Sequence, residues 1–239
     1  MLDNIDLRNI LVIDIETVSQ FSAFEQLDEI WQKLWSKKMH YLIKDGVTAA
    51  TIYERAAMYS EFGKIICISA GCFPQNDAEY RFRVKSFYGD DEKNILSGFS
   101  EMLNKNYNTE NHYIAAHNGK EFDYPYIARR CLINGISIPA ILNNSGKKPW
   151  EIRLLDTMDM WKFGDYKNFT SLNLLAAVFG INSPKDDIDG SKVGSVYWKD
   201  NDVERIRIYC EKDIVTVAQL LLKFKGMEML KEEDVAYTN

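Results

Sequence analysis

The chain has 239 residues, of which 46% are hydrophobic, 27% charged and 13% aromatic, a balance that excludes a disordered, collagen-like or membrane-bundle protein. Its formal net charge is −6, and residues 1–30 carry all of it: Asp3, Asp6, Asp14, Glu16, Glu25, Asp28 and Glu29 stand against Arg8 alone. On electrostatics, such a chain is not an obvious nucleic-acid binder.

Residues 9–16 (NILVIDIE) form an apolar, β-branched run that predicts a strand buried on both faces. Residues 20–62 turn helical in pattern, with Phe24, Leu27, Ile30/Trp31 and Leu34/Trp35 at three-to-four spacing. Strands are predicted over 64–70 and 80–88, with a turn over 71–76, then a helix over 91–105 and a short strand over 113–116. A helix over 124–134 is closed by Gly135, and another strand follows over 152–157. A helix over 171–179 has a Ser/Thr cap before it and is ended by Gly180, a polar loop spans 182–194, and the last long helix covers 201–225. This order predicts an α/β fold, a mixed central sheet flanked by helices, in one domain over 1–239 with a helical insertion at 20–62.

The four cysteines are scattered without a CxxC pair, which speaks against a zinc ribbon or a thioredoxin-like site. The first ten residues lack the basic start and apolar run of a signal peptide, and no apolar stretch reaches the ~18 residues of a membrane span. A soluble, reducing, cytoplasmic setting is expected, in which the sequons at Asn143 and Asn168 mean nothing. Neither a nucleotide-binding phosphate loop nor a Gly-x-Ser-x-Gly elbow is present.

Asp14 and Glu16 lie two apart in an apolar strand, so both carboxylates leave on one face. Burying two like charges costs several kcal/mol unless a cation sits between them, and hard oxygen ligands suit magnesium or manganese. On this pair alone, a wet strand end explains the pattern equally well. Asp123 stands where a strand turns into a helix, where a carboxylate also serves the helix dipole. Tyr209 and Asp213 are four apart on the last helix and share a face.

Together, Asp14-Ile15-Glu16-Thr17, His117-Asn118-Gly119-Lys120-Glu121-Phe122-Asp123 and Tyr209-x-x-x-Asp213 resemble the three motifs of the DEDD superfamily of 3′–5′ exonucleases. The nearest likeness is to predicted exonucleases similar to the proofreading domain of family-B DNA polymerases. The segment 171–175 also resembles the family's stretch before the third motif. The likeness covers 9–17 and most of 63–224, and matches nothing over 20–62 or 136–151. Tyr209, with Ile208 where the other branch has histidine, places the chain with the tyrosine branch (DEDDy).

The resemblance implies a ribonuclease-H-like fold and two divalent metal ions, Mg2+ or Mn2+, held by Asp14, Glu16, Asp123 and Asp213. Asp14 would bridge both, with Glu16 and Asp213 on one ion and Asp123 towards the other. Such ions would serve an in-line displacement at phosphorus. Tyr209, with an ordinary pKa of about 10, is a poor base at neutral pH and is expected to orient the attacking water. For the substrate strand, the resemblance points to Ile15, Thr17, His117, Asn118, Phe122 and Leu172. For His117, Asn118 and Thr17, capping a turn is an equal alternative, and core packing is the plainer role of Phe122 and Leu172. Asp156 is not expected to be a ligand.

Arg129, Arg130, Lys147, Lys148 and Arg153 face Glu151 alone over 124–155, a basic stretch able to track a single strand or simply to solvate a surface. The expected activity is 3′–5′ hydrolysis of single-stranded or frayed DNA. The alternatives are an exoribonuclease of the same fold and a catalytically silent nucleic-acid-binding module. A proofreading role is expected only in trans, and no protein partner is legible. Two divalent ions would offset four of the chain's negative charges, so the acidic balance partly records an empty metal pocket.

Overall fold

Nearly continuous burial along Ile10–Ser19 marks β1 as covered on both faces, with Leu11, Ile13 and Ile15 in one core and Ile10 and Val12 in another. In this computed structural model the described residues are 2, 4–75, 81–165, 167, 169–181 and 188–238. The other strands are β2 (Gly63–Cys72), β3 (Phe82–Tyr88), β4 (Tyr113–Ala116), β5 (Leu154–Asp156) and β6 (Val235–Thr238). They form one six-stranded sheet in the order β5-β4-β1-β2-β3-β6. β1 pairs antiparallel to β2 and parallel to β4, β4 pairs parallel to β5, β2 antiparallel to β3, and β3 parallel to β6. Glu16 and Thr17 pair with Cys67 and Ile65, so Ile66 is an extra residue that bulges β2 beside the acidic end of β1.

Helices α2 (Glu92–Asn106) and α3 (Asp123–Ile133) cover the face that holds Ile13 and Ile15. The other face is covered by α7 (Val203–Phe224), whose Ile214, Val217 and Leu221 pack on Ile10, Val12 and Val84. Short helices α4 (Thr157–Lys162) and α5 (Leu172–Val178) lie between, and Ser171 caps α5 by accepting from the Leu174 N–H. α6 (Val193–Ser195) runs into a π-type turn over Val196–Asp200. Among the described residues, no helix is long and apolar enough to cross a membrane.

The expected elements from residue 63 onward are found with small shifts in their ends. Tyr80, Asn76, Asn168 and residues 182–187 of the expected polar loop lie outside the described residues. Two readings need correction. The insertion holds a single α-helix, α1 (Glu29–Lys38), between 3-10 turns at Phe24–Gln26 and Tyr53–Met58. Ile30, Trp31 and Leu34 of α1 are exposed, while Trp35 is buried against Tyr53, Tyr59 and Phe62. β6 was not expected, because its strand is four residues long and mostly exposed.

Arg130 also differs from expectation. It is 3% exposed and forms a two-armed ion pair with Glu92, itself 7% exposed. Arg130 Nη1 further donates to the Ser60 carbonyl at 2.9 Å, and Glu92 Oε1 accepts from the Ile65 N–H at 2.7 Å. The cluster ties α2, α3, β2 and the end of the insertion together and withdraws Arg130 from the basic surface. Arg153 and Lys147 donate to the carbonyls of Thr109 and Ala140.

Removing one member of this pair strands a buried charge, so Glu92→Ala should cost about 3–5 kcal/mol. A double Glu92→Leu/Arg130→Met exchange should recover much of that loss. Urea unfolding measures both, and a single-variant cost under about 1 kcal/mol would contradict the assignment.

Candidate active site

The bulged end of β1, the start of α3 and the middle of α7 converge on one small volume. Asp14 and Glu16 emerge on the α7 side of the sheet, opposite the core that takes Ile13 and Ile15. Asp123, the first residue of α3, is buried, and its Oδ1 accepts the Ile15 backbone N–H at 3.2 Å. From α7 come Tyr209, Cys210 and Asp213, one helical face by their spacing. The Tyr209 hydroxyl lies beside the Asp213 carboxylate. Cys210 Sγ donates to Asp14 Oδ2 at 3.3 Å and lies 3.5 Å from the Asp14 carbonyl oxygen. The ligand atoms of Asp14, Glu16 and Cys210 all lie within 4.8 Å of one another.

Burial and mutual repulsion dominate the electrostatics. Asp14 is held well above the usual carboxylate range by burial, then by Asp123, Glu16 and Asp213. Burial, then Asp213, does the same to Glu16. Asp123 is pushed up to about 7 by burial, although the N–H groups of Asp123 and Ile15 favour its charged form. Burial, then the carboxylates Asp213, Glu16 and Asp14, raises Tyr209, so its hydroxyl keeps its proton. Among the described residues, no Lys or Arg is a leading influence on Asp14, Glu16 or Asp123. Hard oxygen donors crowded together, with burial and like charge leading the influences on Asp14, Glu16 and Asp123, fit a divalent cation.

The turn between β4 and α3 is shaped by Asp156, the cap of α4. Its carboxylate accepts from the backbone N–H groups of Asn118, Lys120 and Met158 at 2.9, 3.0 and 2.9 Å. Asn118 takes the left-handed conformation (φ 60°). A Cβ on Gly119 would lie 2.5 Å from the Ala116 side chain and 2.9 Å from the Tyr124 ring, so this position needs glycine. His117 spends both ring nitrogens internally, on the Thr157 hydroxyl and the Thr170 carbonyl, each at 2.9 Å. Burial lowers its pKa, which favours the neutral ring. The Asn118 Oδ1 is buried without a hydrogen-bond partner.

The other residues expected at the substrate lie as follows. The Ile15 side chain is in the core, and Thr17 donates to the Ala57 carbonyl at 2.8 Å. Phe122 caps α3, half-buried, with its ring 5.3 Å from Tyr126. Leu172 packs between the α7 core and the small cluster around Leu175. Sequence reading missed Cys210, a residue inside the third motif whose only signal was its place three before Asp213 on the same helical face.

The family described as "Predicted 3'-5' exonuclease related to the exonuclease domain of PolB" matches residues 57–238. That span includes Asp123, Tyr209 and Asp213 and begins after Asp14 and Glu16. Among solved structures, the family B DNA polymerase from the hyperthermophilic archaeon Pyrobaculum calidifontis is similar in fold, with a TM-score of 0.52 and 16% identity. The similarity covers 90% of this chain and 24% of that chain. No curated protein matches the sequence. The fold is the expected ribonuclease-H-like one, a mixed six-stranded sheet flanked by helices. Since the family match takes in more than half of the chain, this protein belongs to the predicted 3′–5′ exonucleases related to the exonuclease domain of PolB.

Proposed function

We propose that the whole chain acts as one metal-dependent exonuclease domain of the tyrosine branch, hydrolysing phosphodiester bonds from the 3′ end of DNA, single-stranded or frayed. One observation carries this reading: carboxylates from three distant segments crowd together with Tyr209, and among the described residues no Lys or Arg leads in offsetting Asp14, Glu16 or Asp123. Asp14, Glu16, Asp123 and Asp213 would hold two divalent ions, Mg2+ or Mn2+. Such ions supply charge that stabilises the attacking and leaving oxygens of an in-line displacement.

The chain's own groups have separable tasks. The protonated Tyr209 hydroxyl orients the attacking water and does not act as its base. The Cys210 thiol holds the Asp14 carboxylate in place. The free Asn118 carboxamide oxygen is suited to accept a hydrogen bond from the terminal sugar. His117 keeps the Asn118 turn against the segment that leads into α5, and Thr17, Phe122 and Leu172 border the path of the strand; the Ile15 side chain, buried in the core on the opposite face, offers it only backbone.

End-labelled single- and double-stranded DNA and RNA, given with manganese, test the reading. Wild-type protein should shorten DNA from the 3′ end and RNA less well. Asp14→Asn and Asp213→Ala should lose all measurable hydrolysis, whereas Tyr209→Phe keeps a trace. Full activity in Asp213→Ala, or degradation from the 5′ end, contradicts it.

The crowded carboxylates also set a pH dependence. Their folded pKa values lie above the ordinary ones, so the metal-free fold binds more protons than the unfolded chain. Their contribution is therefore fullest below about pH 4 and is lost as pH rises through about 7, the value for Asp123. Manganese, competing with those protons, should raise the melting temperature more at about pH 8 than at about pH 5.5. An equal shift at both values would count against a carboxylate metal site.

A further inference from the structure

At the carboxyl end of β1 a cavity of about 620 Å³ begins at Thr17, the residue after Glu16. One wall is the insertion, through residues 22–25 and 50–58, and the other is Gly190–Lys199. Most of the insertion wall lies before residue 57, where the family match begins. The half-buried rings of Phe24 and Trp198 line it, with Tyr53 buried at its edge (3% exposed), and Arg55 and Lys199 are offset by Glu25 and Glu54. A wall with aromatic faces, Ser and Thr hydroxyls and no net charge suits a neutral, planar, hydrogen-bonding ring system better than a phosphate. Trp198 adds an indole N–H that is buried without a hydrogen-bond partner. The same side chain packs with Tyr209 against the cluster of Val18, Val196 and Ile206, which joins the cavity to the carboxylate site.

We infer that this cavity is a nucleobase pocket, holding a base of the bound single strand while its terminal phosphodiester lies at Asp14 and Glu16. The inference rests on the exonuclease reading for the position of the strand, and it assigns the insertion a task in gripping nucleic acid. Stacking on an aromatic side chain is sequence-tolerant, because every base presents a π-face. The pocket therefore supplies affinity without strong base preference, and does so in a chain whose overall charge is negative.

The test is binding of a 5′-labelled single-stranded oligodeoxynucleotide, read by fluorescence anisotropy in calcium, beside its hydrolysis in manganese. Two variants alter the pocket differently. Trp198→Ala removes a ring, and Gly190→Phe adds one at a position where a Cβ meets nothing within 4 Å. Each should weaken oligonucleotide binding about tenfold and raise KM with little change in kcat, while the manganese-induced thermal shift stays intact. Trp198→Phe, which keeps a ring, should recover much of the binding. Affinity within about twofold of wild type in both Trp198→Ala and Gly190→Phe overturns the pocket even if hydrolysis is normal. If wild type binds the strand but never cuts it, the exonuclease reading fails, and the same variants still judge the pocket. If wild type neither binds nor cuts, both readings fall.

Discussion

Like charge brought together out of water is the constraint around which this molecule is arranged. Asp14, Glu16 and Asp123 are each pushed towards the protonated form by burial and by neighbouring carboxylates, with Asp213 among the neighbours of all three. A fold gains little stability from such a cluster, since these three groups shed hydration and face like charge. The sheet supplies partial compensation through the Ile15 N–H on Asp123, and α7 adds the Cys210 thiol on Asp14. The divalent ions proposed above would bring positive charge to the cluster.

The opposite side of the sheet shows how the same chain treats a buried charge meant for structure. Glu92 meets Arg130 in two-armed geometry, and its remaining acceptor capacity is filled by the Ile65 N–H and the Asn134 carboxamide. Both charged groups there have partners on each arm, so the cluster fastens helices and insertion to the sheet. The contrast separates scaffold from site: one polar cluster is closed and the other is left open. Asn118, whose carboxamide oxygen has no partner, and Trp198, whose N–H has none, extend the open character beyond the carboxylates.

Much of this was legible in the sequence because the period of a strand and of a helix dictates which side chains share a face. Asp14 and Glu16 two apart, and Tyr209 and Asp213 four apart, could be placed on common faces before any fold was known. Asp156, left out of the ligand set, accepts from three backbone N–H groups, a task set by the chain's fold that nothing local announced. What stayed hidden depends on tertiary pairing. Arg130 read as part of a basic surface because nothing local marks Glu92, 38 residues away, as its partner. Phe24 to Trp35 carried helical spacing, yet only Glu29–Lys38 is α-helical, since tertiary packing around Trp35 and Tyr53 holds the flanks as turns. Cys210 read as a stray thiol because its contact with Asp14 spans 196 positions.

If the crowded carboxylates exist to receive cations, the most direct measurement counts them. Titration of the metal-free protein with manganese, followed by the electron paramagnetic resonance of the free ion, should show two saturable sites per chain. Asp14→Asn, which removes the carboxylate proposed to bridge both ions, should weaken both together. Saturable binding unchanged in Asp14→Asn, or no binding by wild type at millimolar manganese, would contradict the account.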